Sequence, residues 1–241
     1  MSDIRMSNFQ AIPPVIKNLV IINALVFFAQ SIFGGNGPFA GSFGANGIEN
    51  LFALHDVHSV FFKPHQLITH MFMHGSITHL LFNMLALWMF GSMLENLWGS
   101  KRFLIFYMAC GLGAAFLHLG VLYMEMKPVI EVFRQLPASQ QEELLYSETF
   151  KVNTATVGAS GAVFGCLAAF GYLFPNSLIY VYFFLPIKAK WFVIIYAAME
   201  LWLGVNNSAG DNVAHWAHLG GALVGFLLVL YWNKANRRNF Y

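Results

Sequence analysis

Two side chains in apolar parts of this sequence have the chemistry of a nucleophile and a general base. Ser160 lies between glycines in the stretch VGASGAVFG (157–165), and His218 lies in the stretch AHLGGALVG (217–225). A serine hydroxyl is a weak nucleophile that becomes reactive when a neighbouring imidazole accepts its proton. A serine in hydrocarbon also needs a hydrogen-bond partner. The two residues are therefore candidates for nucleophilic catalysis, provided that the fold brings them together.

A second polar pair lies upstream, in the stretch HLLFN. Its members, His79 and Asn83, are four residues apart and share one face of a helix. Strongly polar residues within a membrane span are costly and usually face a cavity. Donors of this kind can stabilise a tetrahedral oxyanion next to a nucleophile. The alternative is an interhelical hydrogen bond that only ties this helix to its neighbours.

The composition is that of a polytopic membrane protein. Hydrophobic residues make up 58% of the 241 residues and charged residues 10%, with a mean hydropathy of +0.59, whereas a soluble domain has about 25% charged residues. The formal net charge of +2 is too small to indicate a nucleic-acid partner. We predict an all-α polytopic membrane protein with a bundle of six transmembrane helices of ~20 residues each. The six segments are Val15–Phe33, Ser76–Trp98, Phe103–Tyr123, Val157–Phe174, Trp191–Val205 and Val213–Trp232.

The distribution of basic residues predicts the orientation of these helices. With six spans, Lys63, Lys127, Arg134 and Lys151 lie on one side of the membrane and the other nine Lys and Arg residues on the opposite side. Because cytoplasmic loops carry an excess of Lys and Arg, we expect both termini in the cytoplasm. The chain then divides into a short cytoplasmic segment (1–14), the six-helix domain (15–232) and a basic cytoplasmic tail (233–241). Since the N-terminus lacks a small-residue cleavage site, we expect no removable signal peptide and a location in a bacterial inner membrane.

Two stretches between the predicted helices carry weaker signals. Ser139-Gln140-Gln141-Glu142 has the capping-box pattern, which predicts a short surface helix in the polar loop 125–151. The apolar run Leu178–Ile187 is interrupted by Pro186, and we expect it to lie in the membrane interface.

This orientation places the candidate nucleophile and base at matching depth. Ser160 is expected about one turn below the outer end of its helix and His218 one to two turns below the same face, at ~1.5 Å per residue. Two glycine pairs, Gly161 with Gly165 and Gly221 with Gly225, form small-residue faces, which let two membrane helices approach closely. The alternative is ordinary helix packing, with Ser160 bonded to a carbonyl one turn earlier in its own helix.

Four motifs together resemble the rhomboid intramembrane serine proteases. They are H-L-L-F-N on helix two, G-A-S-G (158–161) on helix four, A-H-L-G-G-A-L-V-G on helix six, and Gly91-x-x-x-Glu95-x-x-x-Gly99 at the end of helix two. Their order along the chain is that of the family. The resemblance covers about Val15–Trp232 and implies a six-helix rhomboid-like bundle.

The resemblance also implies roles for individual residues. Ser160 would be the nucleophile and His218 the general base, in a dyad without an acidic third member. The oxyanion hole would consist of His79, Asn83 and the backbone N–H of Ser160, and Phe164 would stack on the imidazole. The supporting glycines are Gly158, Gly161, Gly221 and Gly225.

The implied activity is an endopeptidase that acts within the lipid bilayer. Its substrates would be transmembrane proteins whose helices unwind easily at their outer ends, and it would need no cofactor and no metal. Two positions depart from many relatives. Phe164 replaces a tyrosine, and Lys63-Pro64-His65-Gln66 stands where many relatives carry Trp-Arg, which leaves the membrane contacts of the first outer loop open.

Several other polar residues lie near the predicted site. We prefer His218 to His215 as the base because only His218 is followed by glycines at +3 and +7. We interpret Asp211 as a helix cap or dipole partner, and Glu95 as a structural residue. Glu200 either lines the cavity or hydrates its mouth, and the sequence leaves both open. The remaining histidines are interpreted as solvated in the loop (His55, His58, His65), lining the cavity rim (His70, His74) and buried (His118).

Two other functions remain possible at this point. The spacings His70-x-x-x-His74 and His215-x-x-His218 superficially resemble the histidine boxes of membrane metalloenzymes, and imidazole suits Zn or Fe. Such boxes lie on the cytosolic side and need a third cluster, whereas these histidines are predicted to face outward. The other alternative is a rhomboid-like protein that binds membrane clients without cleaving them. Such proteins lose the serine or the histidine, and this chain has both.

Overall fold

The computed structural model describes residues 9–34, 38–39, 47–147, 149–181, 184–206 and 214–237. Its ten α-helices in these ranges are α1 (Pro14–Phe33), α2 (Gly47–Phe52), α3 (Gln66–Thr69), α4 (Ile77–Ala86), α5 (Ser92–Trp98), α6 (Ser100–Phe133), α7 (Ala138–Leu145), α8 (Ser160–Leu173), α9 (Ala189–Asn206) and α10 (His215–Arg237). Short 3₁₀ turns cover His70–Phe72 and Lys151–Asn153, and a π-helical turn, Leu87–Gly91, joins α4 to α5. Two strands, β1 (Leu178–Val181) and β2 (Leu185–Lys188), precede α9.

Within the described ranges, four helical stretches are long and apolar enough to cross a membrane. They are Pro14–Phe33, Ile77–Trp98, Ser100–Phe133 and His215–Lys234. Large apolar side chains such as Phe28, Phe116 and Trp202 are exposed, which suits lipid rather than water. The helix α8 has only 14 residues, or about 21 Å at ~1.5 Å per residue, against a hydrocarbon core of ~30 Å. The described residues of all six predicted segments overlap helices, and α8 begins three residues later and ends one residue earlier than predicted.

The central helix α8 packs against α6 and α10 through glycines. A Cβ added to Gly221 would collide with the carbonyl oxygen of Gly161, and a Cβ at Gly225 would lie 2.7 Å from Cα and O of Gly165. Gly165 also faces α6, because a Cβ there would collide with the side chain of Cys110. The predicted close approach of the fourth and sixth segments is therefore present, and it is made by backbone against backbone.

The polar loop predicted at 125–151 is shorter than expected because α6 continues to Phe133. The extension passes through Pro128, which lacks the N–H that a helix interior normally uses. A separate apolar cluster stabilises it, in which Met126 and Ile130 pack with Phe150 and Val152. The apolar pattern of the sequence did not predict this cluster.

The short surface helix in this region exists, but the predicted capping box is wrong. The helix α7 begins after Pro137, whose backbone is extended and which supplies no side-chain cap. Ser139, the predicted cap, lies inside the first turn. Gln141 instead donates from its side chain to the carbonyl of Leu136 at 2.8 Å, which stabilises the turn before the helix.

The apolar run before α9 is a β-hairpin, so the fold is not wholly helical. The strands β1 and β2 pair antiparallel, with Tyr180 opposite Pro186. Proline is tolerated here because both strands of a two-stranded sheet are edge strands. The aromatic and β-branched residues Ile179, Tyr180 and Val181 favour the extended conformation.

Glu95 ties the beginnings of two helices to the end of α5. Its buried carboxylate accepts hydrogen bonds from the N–H groups of Val15 and Ile16 at 3.0 and 2.9 Å and from the hydroxyl of Ser100 at 2.6 Å. The first N–H groups of a helix have no intrahelical acceptor, and a carboxylate there interacts favourably with the helix dipole. This contact agrees with the structural interpretation of Glu95.

The loop before α4 is organised by Gln66, which is fully buried. Its amide nitrogen donates to the carbonyls of Asn50 and Phe61, at 2.9 and 2.8 Å, and its oxygen accepts the N–H of Lys63 at 3.1 Å. His55, predicted as solvated, is also buried. Its Nδ1 lies 3.0 Å from the carbonyl oxygen of Asn153. The prediction for His55 was wrong because residues distant in sequence cover the loop.

Candidate active site

Ser160 lies at the beginning of a helix rather than within one. Gly158 has φ = +136°, a conformation that other residues rarely adopt, and its N–H donates to the carbonyl of His70 at 2.9 Å. The helix α8 therefore begins at Ser160, not at Val157 as predicted. This start places the hydroxyl beside N–H groups that have no intrahelical acceptor and at the positive end of the helix dipole.

The imidazole of His218 contacts this hydroxyl directly. His218 lies near the beginning of α10, and its Nε2 is 2.8 Å from Oγ of Ser160. The ring of Phe164, one turn after Ser160, is stacked on the imidazole with a centroid distance of 4.3 Å and an interplanar angle of 5°. Tyr196 of α9 packs against the phenyl ring at 5.0 Å. The ring plane of His218 is thus held by packing as well as by its hydrogen bonds.

A carboxylate lies at the other nitrogen of the same imidazole. Oε2 of Glu200, on α9, is 2.9 Å from Nδ1 of His218 and 2.7 Å from Nδ1 of His215. Glu200 is only 3% exposed. Because a carboxylate accepts and does not donate, both imidazoles carry a proton at Nδ1. Nε2 of His218 then has the lone pair that accepts the hydrogen of Ser160.

Sequence reasoning did not find this role for Glu200. It left the residue as lining or hydrating the cavity and expected a dyad with no acid. The available signal was an acidic residue within an apolar helix, which is costly unless it is paired. The partner could not be read from the spacing, because it depends on how α9 packs against α10.

His79 also lies near Ser160. A Cβ at Gly158 would be 3.0 Å from Nε2 of His79 and 3.4 Å from Oγ of Ser160, so Gly158 is the spacer between the two side chains. Nδ1 of His79 accepts a hydrogen bond from the N–H of Gly75 at 3.4 Å. The ring proton is therefore on Nε2, the nitrogen beside Gly158.

Asn83 is buried one turn below His79 on α4. Its amide donates one hydrogen to the carbonyl of His79 at 3.1 Å. An amide nitrogen carries two hydrogens, and Asn83 lines the same cavity as His79 and Ser160. The predicted pair thus shares one wall of the site.

Three more histidines surround the site. His70 and His74 are both buried, and burial lowers the pKa of each to about 4. Nδ1 of His70 donates to the carbonyl of Gln66 at 2.7 Å, and the ring of His74 meets that of His79 edge-on at 5.1 Å. His118 is buried on α6, with Nε2 2.9 Å from the hydroxyl of Thr156.

The histidine spacings do not assemble into one metal-like cluster. Within the ranges that the structure describes, the group of three whose potential ligand atoms lie within 4.8 Å of one another is Glu200, His215 and His218. His70 and His74 are not part of it. The atoms of this group hydrogen-bond to one another, and His218 also bonds Ser160. This arrangement fits proton transfer better than metal binding.

A cavity of about 1310 Å³ opens onto Ser160. One wall comes from α4 and the π-helical turn after it and carries Phe82, Asn83 and Phe90, and another comes from α9 and carries Phe192 and Tyr196. The hydroxyl of Ser160, the ring of His79 and the imidazole of His218 also line it. The arrangement combines an activated hydroxyl, nearby N–H donors and an apolar entrance. Asp211, predicted near the beginning of the sixth segment, lies outside the described residues.

The chain is similar in sequence to proteins of one family. A family model described as the Rhomboid domain matches residues 61–234. Rhomboid protein 1, mitochondrial, of Saccharomyces cerevisiae is 29% identical over 169 residues, which are 68% of this chain and 40% of that protein. Rhomboid protease GluP of Bacillus subtilis is 31% identical over 161 residues, covering 67% of this chain and 24% of that protein. RHOMBOID-like protein 12, mitochondrial, of Arabidopsis thaliana is 26% identical over 226 residues, covering 94% of this chain and 60% of that protein.

In each of these three relatives, the matched region spans less than two thirds of the protein. On this chain, the family model contains every residue described above for the site, from His70 to His218. Together with four apolar helices long enough to cross a membrane, the match shows that this chain is an integral membrane protein of the rhomboid family.

Proposed function

We propose that this protein is an intramembrane serine endopeptidase, with Ser160 as the nucleophile and His218 as the general base. The observation that supports this most strongly is the 2.8 Å contact between Oγ of Ser160 and Nε2 of His218. The contact lies at the beginning of a helix, beside unpaired N–H groups, and opens into a cavity between apolar helices. The name of the Bacillus relative, a protease, agrees with this proposal.

In the first half of the reaction, Oγ of Ser160 attacks the carbonyl carbon of a peptide bond while its proton moves to Nε2 of His218. The carbonyl electrons move to oxygen, which gives a tetrahedral oxyanion. When this intermediate collapses, the C–N bond breaks, and His218 gives the proton to the leaving amine. A water molecule then repeats the sequence on the acyl-serine, which releases the acid and restores Ser160.

The proposed oxyanion hole consists of the backbone N–H of Ser160, Nε2 of His79 and the amide of Asn83. Donors that are already in place before charge develops stabilise the transition state more than the ground state. Gly158 supports this arrangement because a Cβ there would lie between His79 and Ser160. Gly161, Gly221 and Gly225 support it by allowing α8 and α10 to approach each other closely.

We propose six membrane crossings, in which α8 and α9 add to the four longer spans. Since α8 is shorter than the bilayer and begins at Ser160, the nucleophile lies below the outer surface while remaining open to the cavity. Residues 15–232 then form the protease domain, with 1–14 and the basic tail 233–241 in the cytoplasm. We place it in a bacterial-type inner membrane, where the nine basic residues of the inner side face the cytoplasm.

The proposed substrates are helices of other transmembrane proteins. A helix hides its carbonyl groups in internal hydrogen bonds, so cleavage requires it to unwind near the site. The cavity walls that carry Phe82 on α4, Phe90 on the π-helical turn and Phe192 on α9 are apolar, which suits contact with a segment that enters from lipid. The polar groups of the site lie at the inner end of this path.

Cleavage of a single-pass model substrate in proteoliposomes tests the proposal. We expect the wild type to cleave and Ser160→Ala to be inactive, because no other group can form the acyl-enzyme. Alanine is accepted in helices, so this variant keeps the wild-type melting temperature. Ser31→Ala is the matched control, since Ser31 bonds only to the carbonyl of Phe27 on α1 among the contacts described. Residual cleavage by Ser160→Ala contradicts the mechanism, and a wild type that binds the substrate without cleaving it favours a client-binding protein instead.

A further inference from the structure

The carboxylate of Glu200 is shared between two imidazoles, and only one of them contacts Ser160. Oε2 accepts from Nδ1 of both His218 and His215, whereas Nε2 of His218 alone is bonded to the hydroxyl. The order of atoms is therefore hydroxyl, imidazole, carboxylate, with a second imidazole at the end. All three side chains other than the serine are buried.

We propose that Glu200 is a positioning residue that holds His218 in the tautomer and orientation that Ser160 requires, with His215 dividing the charge of the carboxylate. This inference rests on the proposed function of Ser160 and His218. Ser160, His218 and Glu200 then form a triad in place of the two-residue dyad, and His215 changes how strongly Glu200 interacts with His218.

The chemistry of the carboxylate supports this role. A carboxylate at Nδ1 fixes the proton there and leaves the lone pair of Nε2 directed at the serine. When His218 accepts the proton of Ser160, it becomes an imidazolium, and the negative charge beside it stabilises that state. In a buried environment this stabilisation is larger than in water.

His215 changes how much of that charge reaches His218. Its Nδ1 is slightly closer to Oε2 than that of His218, at 2.7 against 2.9 Å. An acceptor oxygen that serves two donors is polarised by both, so His215 weakens the pull of Glu200 on His218. The two rings are nearly perpendicular, with centroids 6.4 Å apart, so they converge on the carboxylate without stacking.

Other titratable side chains also face this group from the packed helices. Tyr196, one turn before Glu200 on α9, lies near its charge. His79 of α4 and His118 of α6 lie near enough to His218 to interact electrostatically with it. Each of these groups is unchanged in the variants below, so a difference between variants reports on Glu200 and His215.

The test is the pH dependence of kcat/KM for substrate cleavage in the wild type, Glu200→Gln, Glu200→Asp and His215→Ala. Glu200→Gln keeps the size of the side chain but removes its charge. We expect kcat to fall by up to about 10⁴-fold, the loss seen when the acid of a soluble serine protease becomes an amide, with little change in KM. We also expect the midpoint of the acid limb to move to lower pH, because the imidazolium is less stabilised.

We expect the other two variants to change kcat or the acid limb of the pH profile in different directions. Glu200→Asp keeps the charge at a greater distance, so part of the lost kcat returns. His215→Ala leaves the carboxylate to His218 alone, and the acid limb moves to higher pH. Glu142→Gln is the matched control for the loss of a carboxylate, because Glu142 is exposed on α7, and its profile follows the wild type.

A role limited to tying α9 to α10 predicts another result. Such a role changes the amount of folded enzyme and leaves the acid limb of the folded fraction in place. If the acid limbs of Glu200→Gln and His215→Ala overlay that of an active wild type, the inference is overturned while the Ser160 mechanism stands. If Glu200→Gln does not fold, Glu200→Asp and His215→Ala decide by the same criterion. A wild type with no activity and no reactive Ser160 instead contradicts the proposed function itself.

Discussion

At the scale of single residues, the hydrogen bonds around His218 determine which of its nitrogens carries the proton. Glu200 accepts the Nδ1 hydrogen and Ser160 faces Nε2, so the imidazole has the tautomer that the proposed general base requires. Stacking on Phe164 keeps the ring in plane with these partners.

The proximity of Ser160 and His218 could be predicted from the sequence because their glycine-rich surroundings are local. A glycine with positive φ before the serine and glycines at +3 and +7 from the histidine are features of short stretches. Glu200 could not be assigned in this way. Its partners are 15 and 18 residues away on another helix, and only the packing of α9 on α10 brings them together.

The proposed oxyanion hole predicts partial losses of activity. His79→Ala and Asn83→Ala each remove one donor and leave the backbone N–H of Ser160 in place. Loss of one such donor in a soluble serine protease lowers turnover by about 10²–10³-fold. We expect a similar fall in kcat for each variant, with KM nearly unchanged. Melting curves measured beside kcat provide the control, and a collapsed melt with no folded enzyme means that the pair only ties α4 to its neighbours.

Buried histidines before α4 predict that stability falls in acid. Burial lowers the pKa of His74 from 6.5 to about 4, so its stabilising contribution is complete above pH 6.5 and is lost as pH falls towards 4. The substitution His74→Phe removes this protonation while keeping a ring of similar shape. We expect its melting temperature to fall less than that of the wild type between these pH values. The substitution of the exposed His65 by Gln is the control, and parallel curves for His74→Phe and the wild type refute the assignment.

At the scale of elements, the position of Ser160 depends on how closely α8 and α10 approach. The predicted segments identified these helices because apolar length is a strong signal. Their ends were less predictable. Because of the conformation of Gly158, α8 begins only at Ser160. The cluster of Met126 and Ile130 with residues 150–152 stabilises the extension of α6 to Phe133. Both ends depend on backbone conformation or distant contacts rather than on composition.

This close packing predicts opposite effects for two glycine substitutions. Gly221→Ala drives a Cβ into the carbonyl of Gly161, and overpacking of this kind destabilises by about 1–3 kcal/mol. Gly120→Ala on α6 meets nothing within 4 Å, and alanine is favoured over glycine inside a helix by roughly 0.5–1 kcal/mol. We therefore expect Gly221→Ala to melt earlier and Gly120→Ala to melt later than the wild type. Equal shifts for the two variants contradict the packing.

At the scale of the whole molecule, the number of crossings determines which side of the membrane each loop occupies. Six crossings place Ser139 in α7 and Lys188 in β2 on opposite sides. If only the four longer helices cross, the two positions lie on the same side. The chain's own cysteines, Cys110 and Cys166, are buried, so they give a low background for thiol labelling.

Labelling of new cysteines with a membrane-impermeable maleimide distinguishes these arrangements. In intact cells or right-side-out vesicles, we expect Ser139→Cys to react and Lys188→Cys to react only after the membrane is permeabilised. The unsubstituted chain is the control for background labelling. Reaction of both cysteines in intact vesicles rules out the six-crossing arrangement.

Covalent labelling with a fluorophosphonate probe tests the central claim most directly, because the probe reacts only with an activated serine. In the purified wild type near neutral pH, we expect one adduct, mapped by mass spectrometry to Ser160. The adduct is absent from Ser160→Ala and from His218→Ala, and it still forms in His215→Ala. A folded wild type that takes up no probe, or a Ser160 adduct that forms equally fast without His218, contradicts the account.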